Sequence, residues 1–363
     1  MLFPYKYVPH QMEKMQSFIN FIFYQVWCRA PKTKSAGFSL DLFDANPNLR
    51  KVMQDFYFST SAGAEDFYKN VHAIYNLFSD LNRKEIAQLK RWYQGNNNIE
   101  EICANDPSIH IVRYADIEAI YPKLSKQLAS FFKGLYSKDL LNLVALREKI
   151  GQIDDHYHEF MKVNEAGKCP FCGISDIFGV YHSKREAYDH YLPKGIYPFN
   201  SINFRNLVPA CHHCNSSYKL TQDPAFTPKD PVGKTSRRKV FYPYADPSQK
   251  IEITIDLSKS NVNYLTPSDV QFTFGPSAIN EEIETWKDVY GIEERYKAKC
   301  CSCDAKDWLE QVRIFRDEYN IEPEVTLATV RKQSERDPIA NSNFLKVAFL
   351  EGCHRIGMWN SSL

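Results

Sequence analysis

The first 160 residues carry apolar side chains at intervals of three and four, which is the spacing of one buried face of an α-helix. Five segments follow this pattern and are predicted helices: 49–58, 64–81, 84–93, 117–136 and 138–163. Asn46 followed by Pro47 marks the first start, because an N-cap residue and a proline at the first helical position favour helix initiation. Residues 1–160 are therefore expected to form a helical N-terminal domain.

Later in the chain, apolar and polar residues alternate at 251–255 and 270–274, as they do in half-buried β-strands. Helical spacing returns at 280–290, 293–319, 325–335 and 341–355. Residues 246–363 are thus expected to be a C-terminal region of short strands followed by helices. The whole chain is predicted to have an α+β, predominantly helical fold.

The segment 161–245 lies between these regions and loses helical periodicity from Gly167 to about His212. It contains two Cys-x-x-Cys pairs, Cys169 with Cys172 and Cys211 with Cys214. Four thiolates are the usual tetrahedral ligands of structural zinc, so the pairs predict one Zn²⁺ site. Buried thiols without metal and redox-active thiols are the alternatives. Because four thiolates leave no open coordination position, the zinc is expected to stabilise the fold and not to catalyse.

Polar residues surround the cysteine pairs: an Asp-His-x-x-Pro sequence at 189–193, Asn206 before the second pair, and Asn215 and Lys219 after it. Together with the cysteines, over about residues 169–219, this pattern resembles the HNH endonuclease family in its zinc-stapled form. His190, Asn206 and Asn215 stand at the three signature positions, and the third is asparagine where the name-giving pattern has histidine. The two flanking regions lie outside the resemblance.

The resemblance implies a ββα-metal module, with Asp189 and His190 at the end of its first strand and Asn215 on a helix that starts near His212. His190 would be the general base, since an imidazole with a pKa of about 6.5 can accept a proton from water at neutral pH. Asp189 and Asn215 would bind a catalytic Mg²⁺ or Mn²⁺ through oxygen, and Asn206 would fix the loop that orients His190. An Asp-His pair without the rest of this pattern more often consists of two polar surface residues with no catalytic role.

The middle segment carries an excess of positive charge. Residues 162–244 hold twelve basic and six acidic side chains, a net charge of +6 in a chain whose formal net charge is +1. A nucleic acid requires a positive surface for its phosphates. The predicted phosphate contacts are Lys219 and Arg205, and then Arg237, Arg238 and Lys239, although that short basic run is equally typical of a solvated loop.

Composition narrows the class of protein. The 363 residues are 44% hydrophobic and 14% aromatic, which is too apolar for a disordered chain. No run of about 18 apolar residues predicts a membrane span, and no secretory signal is evident, so a cytoplasmic location is expected. In that reducing compartment the ten cysteines predict metal ligands and buried thiols, not disulfides. Cys300, Cys301, Cys303 and Cys353 fit no common metal-binding spacing.

The function that these features predict is a metal-dependent HNH endonuclease that hydrolyses DNA, as in nucleases of bacterial anti-phage defence. Some of those nucleases work beside an ATPase subunit, so a protein partner or a homo-oligomer is expected, with the N-terminal helices as the contact region. Two alternatives stay open: a non-catalytic zinc module that binds nucleic acid or protein, and an HNH-type nuclease that acts on RNA.

Overall fold

The computed structural model describes residues 3–359. Within this range the chain forms sixteen α-helices and two separate two-stranded antiparallel sheets, so the predicted α+β, predominantly helical fold class is confirmed. None of the described helices is both long and apolar enough to cross a bilayer.

Eleven helices precede the cysteine-rich segment. They are α1 Glu13–Phe21, α2 Ala30–Thr33, α3 Pro47–Tyr57, α4 Ala62–Ser79, α5 Arg83–Asn97, α6 Ile99–Cys103, α7 Tyr114–Glu118, α8 Pro122–Gly134, α9 Lys138–Leu141, α10 Val144–Ile150 and α11 Ile153–Asn164. As predicted, Asn46 caps α3 by accepting a hydrogen bond from the Leu49 N–H. The segment predicted as one helix over 117–136 is broken before Pro122, which cannot donate a backbone hydrogen bond. The segment 138–163 forms three helices, with breaks at residues 142–143 and at Gly151, whose φ of +79° lies in the left-handed region.

The middle of the chain contains a small hairpin followed by a helical segment. Strand β1 (Ala187–His190) pairs antiparallel with β2 (Leu207–Ala210), and His190 lies opposite Leu207. A π-helical segment, His213–Lys219, follows directly. The local order of strand, strand and helix therefore places Asp189 and His190 at the end of β1 and Asn215 in the first turn of the helical segment.

The C-terminal region pairs β3 (Glu252–Leu257) with β4 (Val270–Gly275) and adds five helices: α12 Asn280–Tyr290, α13 Ile292–Cys300, α14 Cys303–Tyr319, α15 Pro323–Arg336 and α16 Asn343–Arg355. The predicted helix over 293–319 is two helices, with the break at Cys301-Ser302. Helix α16 packs on β3 so closely that a Cβ at Gly352 would lie 2.6 Å from the Ile255 carbonyl oxygen. Only glycine fits at that contact.

One continuous hydrophobic core joins the three regions. Tyr5, near the amino terminus, donates its hydroxyl to the Pro209 carbonyl of β2 and packs edge-on against Phe160 of α11. Trp286 of α12 is completely buried and reaches the cysteine-rich segment. The segment 161–245 therefore shares its interior with both neighbouring regions.

The buried His156 of α11 generates a prediction about acid stability. Its Nδ1 is hydrogen bonded to the Tyr188 hydroxyl, and burial, helped by the nearby His10, lowers the pKa of His156 to about 3. The folded state thus keeps His156 neutral, whereas the unfolded chain binds a proton below about pH 6.5. Acid titration should reduce the free energy of unfolding by roughly 1 kcal/mol per pH unit between pH 6 and 4 through this group alone.

The measurement is urea unfolding at several pH values. His156→Gln should be less stable than the wild-type chain at pH 7 and should lose less stability on acidification. The exposed His110 is the matched control, because His110→Gln should keep the wild-type pH slope. An unchanged slope in His156→Gln would contradict this account.

Candidate functional site

The four predicted cysteine ligands come together in the interior. The Sγ atoms of Cys169, Cys172, Cys211 and Cys214 all lie within 4.8 Å of one another, and all four residues are buried. A tetrahedral site with Zn–S bonds of about 2.3 Å requires sulfur atoms roughly 3.8 Å apart, so the cluster fits zinc with a small contraction. The backbone N–H groups of Cys211 and Cys214 also point at thiol sulfurs of the cluster, each at 3.4 Å. This donor set fits a structural zinc ion.

The first turn of the cluster, residues 169–173, is the first knuckle. Four successive carbonyl groups of this knuckle accept hydrogen bonds from four distant parts of the chain. The donors are the Phe3 N–H to Pro170 (3.1 Å), the Trp286 indole to Phe171 (2.7 Å), the Tyr296 hydroxyl to Cys172 (2.8 Å) and the Ser342 hydroxyl to Gly173 (3.0 Å). Because buried carbonyls are costly to leave unpaired, the knuckle and these donors stabilise one another.

A buried arginine from the C-terminal region contacts the cluster directly. Arg295 of α13 places Nη1 3.2 Å from the Cys214 Sγ and Nη2 3.2 Å from the Ser175 hydroxyl. Its guanidinium lies over the Tyr218 ring at 4.8 Å. Four thiolates around Zn²⁺ carry a net charge of −2, so one buried guanidinium offsets part of that charge. The sequence contained no local signal for this contact, since 81 residues separate Arg295 from Cys214.

Asp189 lies on the face of β1 that meets the π-helical segment. Its Oδ1 accepts a hydrogen bond from the Lys219 ammonium at 2.9 Å, and both side chains are buried. Its Oδ2 is buried and has no hydrogen-bond partner among residues 3–359. Burial raises the pKa of Asp189, and the Lys219 ammonium opposes that shift. An unpaired buried carboxylate oxygen is a position where a divalent cation fits.

His190 is half-buried, and its orientation is fixed by a backbone carbonyl. Its Nε2 lies 2.9 Å from the Ser201 oxygen. A carbonyl only accepts, so Nε2 carries the proton and Nδ1 has the free lone pair. Burial, followed by the Lys194 ammonium, lowers the pKa of His190 to about 3, so the imidazole is neutral and is a weaker base than the ordinary pKa of about 6.5 would make it. The ring of Tyr136 packs perpendicular to it with centroids 4.9 Å apart.

Asn206 is fully buried and bridges the loop between the two strands, residues 191–206, which we call the His190 loop. Its amide Oδ1 accepts from the Leu192 N–H at 2.7 Å, and its Nδ2 donates to the carbonyls of Leu192 (3.0 Å) and Asn200 (3.3 Å). Asn200 directly precedes Ser201, the residue that holds His190. Asn206 thus ties the start of the His190 loop to the residue directly before the imidazole's hydrogen-bond partner.

Asn215 is half-buried, one residue after the zinc-cluster ligand Cys214. Its carbonyl accepts the N–H of Leu220 in an i to i+5 bond, but no side-chain hydrogen bond of Asn215 forms within the described part of the chain. The amide oxygen is therefore available to a ligand.

The basic residues predicted to contact phosphates have different environments. Lys219 has no exposed surface and is paired with Asp189, and Arg238 is buried and paired with Asp288 at 2.7 Å. Neither presents a free cation to a phosphate in this structure. Arg205 is exposed over the Tyr7 ring, Arg237 donates to the Asp106 carbonyl, and Lys239 is exposed. For these three, phosphate contact stays a prediction.

Comparison with known proteins gives one short similarity. The chain is 41% identical over 63 residues to Protein ea31 of Escherichia phage lambda, which covers 17% of this chain and 19% of that protein. The chain thus matches about a fifth of that relative's length. No family model matches the sequence. No solved structure matches it either.

The cysteine cluster generates the second prediction. Purified protein should contain one zinc per chain, and Cys172→Ser should lose the metal and unfold or become insoluble, because structural zinc contributes on the order of 10 kcal/mol to folding. Elemental analysis and circular dichroism measure both effects. The exposed Cys303 provides the control, since Cys303→Ser should keep zinc and fold. Freshly purified wild-type protein without zinc would contradict the assignment.

Arg295 generates the third prediction. Arg295→Gln should transfer zinc to a competing chelator about tenfold faster than the wild-type chain, since partners of metal ligands typically change affinity tenfold or more. Arg295→Lys should show a smaller effect because it keeps the charge. The control is Arg331→Gln, whose guanidinium is half-exposed and paired with Glu351 far from the cluster. Equal transfer rates in all four proteins would mean that Arg295 has no role at the metal.

Proposed function

We propose that the chain is a metal-dependent HNH-type endonuclease that hydrolyses phosphodiester bonds of DNA. The observation that carries this proposal is the adjacent position of Asp189 and His190 at the end of β1. Asp189 has an unpaired buried carboxylate oxygen, and His190 has a neutral imidazole whose orientation is fixed. The cysteine cluster beside them fits the zinc-stapled form of that family.

In the proposed reaction His190 acts as the general base. Its Nδ1 takes a proton from water, the water oxygen forms a bond to phosphorus, and the bond between phosphorus and the 3′ oxygen breaks. The leaving 3′ oxygen takes a proton from solvent. The Ser201 carbonyl keeps the Nε2 proton in place, so Nδ1 is the nitrogen that accepts.

Asp189 and Asn215 are the residues that would hold Mg²⁺ or Mn²⁺. The unpaired Oδ2 of Asp189 and the free amide of Asn215 are hard oxygen donors, which these cations prefer. When bound, the cation stabilises negative charge on the phosphate and on the leaving oxygen. Lys219 holds the other oxygen of Asp189, so it orients the carboxylate.

A cavity of about 820 Å³ beside β1 supports a nucleic-acid substrate. Tyr136, whose ring also contacts His190, lines it together with Lys138, Lys184 and Arg185, of which Arg185 is paired with Asp154. Asp189, His190 and Asn215 do not line this cavity, so it would hold a part of the strand next to the reacting phosphate. Its volume is within the range of ligand-binding clefts. Aromatic and cationic side chains are the groups that contact bases and phosphates of extended strands.

A role in bacterial anti-phage defence, an ATPase subunit as partner and self-association belong to the same proposal, and they rest on the family resemblance alone. The non-catalytic zinc module and the RNA-directed nuclease are the two competing functions. They differ from the DNA nuclease in what the purified chain does to nucleic acids.

The experiment is incubation of the purified chain with supercoiled plasmid, linear DNA and RNA, with Mg²⁺, with Mn²⁺ and with a chelator. Metal-dependent cleavage of DNA supports the proposal. Cleavage of RNA alone identifies the RNA nuclease, and binding without cleavage identifies the non-catalytic module.

The fourth prediction concerns the two residues at the end of β1. His190→Ala should lower the cleavage rate by roughly 10²- to 10⁴-fold, because the base acts in the chemical step. It should keep its zinc and its fold, with about 1 kcal/mol of stability lost with the Ser201 hydrogen bond. Asp189→Asn should weaken the dependence of the cleavage rate on Mn²⁺ concentration. His110→Ala, at an exposed site, is the control and should cut at the normal rate. Wild-type activity in His190→Ala would remove His190 from the mechanism.

A further inference from the structure

Lys194 belongs to the His190 loop and is half-buried. Its ammonium lies 3.3 Å from the Lys133 carbonyl oxygen, near the end of α8, and 5.6 Å from the centroid of the Tyr136 ring. Among residues 3–359 no carboxylate forms an ion pair with it. Burial lowers the pKa of Lys194, as expected for a cation without an anionic partner.

His190 contacts the same aromatic ring. The imidazole and the Lys194 ammonium both lie against Tyr136, and the charge of Lys194 acts on the imidazole. The neighbouring Lys219 differs, because Asp189 neutralises it inside the fold. Lys194 therefore lies beside the proposed general base and carries a positive charge that no ion pair within residues 3–359 balances.

We propose that Lys194 is a phosphate-binding catalytic residue, which donates to a non-bridging oxygen of the phosphodiester that lies next to His190. This inference rests on the proposed nuclease function and names a substrate contact for it. An ammonium has three donors, and the Lys133 carbonyl uses one of them at long distance. A phosphodiester supplies the missing anion and the remaining acceptors.

The competing role for Lys194 is structural. A lysine that donates to a carbonyl at the end of a helix stabilises that helix through its dipole. That role changes thermal stability and leaves the salt dependence of DNA binding unchanged. If Lys194 contacts a phosphate, its removal reduces the slope of log Kd against log salt by about one.

The experiment uses the full chain and the variants Lys194→Ala, Lys194→Arg and Lys126→Ala. Lys126 is an exposed lysine of α8, the helix whose Lys133 carbonyl Lys194 contacts, and is the matched control. Kd for a DNA duplex is measured in Ca²⁺ at several salt concentrations, and the single-turnover cleavage rate is measured in Mn²⁺. Thermal unfolding is recorded for each protein.

Lys194→Ala should bind the duplex about tenfold more weakly, with a salt slope lower by about one, and should cut at least tenfold more slowly. Lys194→Arg should recover most of the binding, and Lys126→Ala should match the wild-type chain. Wild-type Kd and salt slope in Lys194→Ala would overturn the inference, even if cleavage were slow, since Lys194 would then act only through His190. If the wild-type chain binds DNA without cutting it, the nuclease proposal fails, and the Kd and salt slope alone still decide the phosphate contact.

Discussion

The first knuckle is the constraint on which the rest of the structure depends. A tight turn around two thiol ligands pairs only its first carbonyl internally, that of Cys169, and the carbonyls of residues 170–173 point outward to partners elsewhere in the chain. The chain solves this with donors from its amino terminus and from α12, α13 and the residue before α16. The three regions are thus folded around one point, and metal ligation, carbonyl pairing and the shared core are parts of a single cooperative unit.

The N-terminal helices also reach the catalytic candidates. Asn96 and Asn97 of α5 donate to the carbonyls of Pro198 and Phe199 in the His190 loop. Phe199 has a φ of +81°, which is unfavourable for a side chain with a Cβ, and rings from the N-terminal core, including those of Phe132 and Tyr93, surround it. That packing holds the backbone two residues before Ser201. Tyr93 and Phe132 of the N-terminal helices, which were predicted as a partner-contact region, are thus used inside the protein.

Sequence patterns predicted what depends on local chemistry and missed what depends on distant contacts. The cysteine spacing predicted the cluster, and helical periodicity predicted most helices, but α1 was not assigned although its buried Met15, Phe18 and Ile19 follow the same spacing. Breaks at Gly151 and Cys301-Ser302 required backbone geometry that periodicity does not encode. Lys219 was predicted to contact phosphate, since nothing in its sequence neighbours reveals that its ammonium reaches Asp189. Tyr136, Ser201 and Arg295 meet their partners only in the folded chain.

The π-helical segment has a consequence for how the sequence can change over time. Each residue in it is displaced relative to an ordinary helix, and that displacement brings Lys219 to Asp189 while Cys214 stays in the cluster. Deleting one residue between Cys214 and Lys219, with the helical geometry otherwise kept, would place the lysine one residue step, roughly 100° in an α-helix, away from Asp189. Substitutions on its exposed face are tolerable, but insertions and deletions are not. Homologous chains that keep both the cluster and the buried ion pair should therefore have a fixed spacing here, even where their sequences diverge.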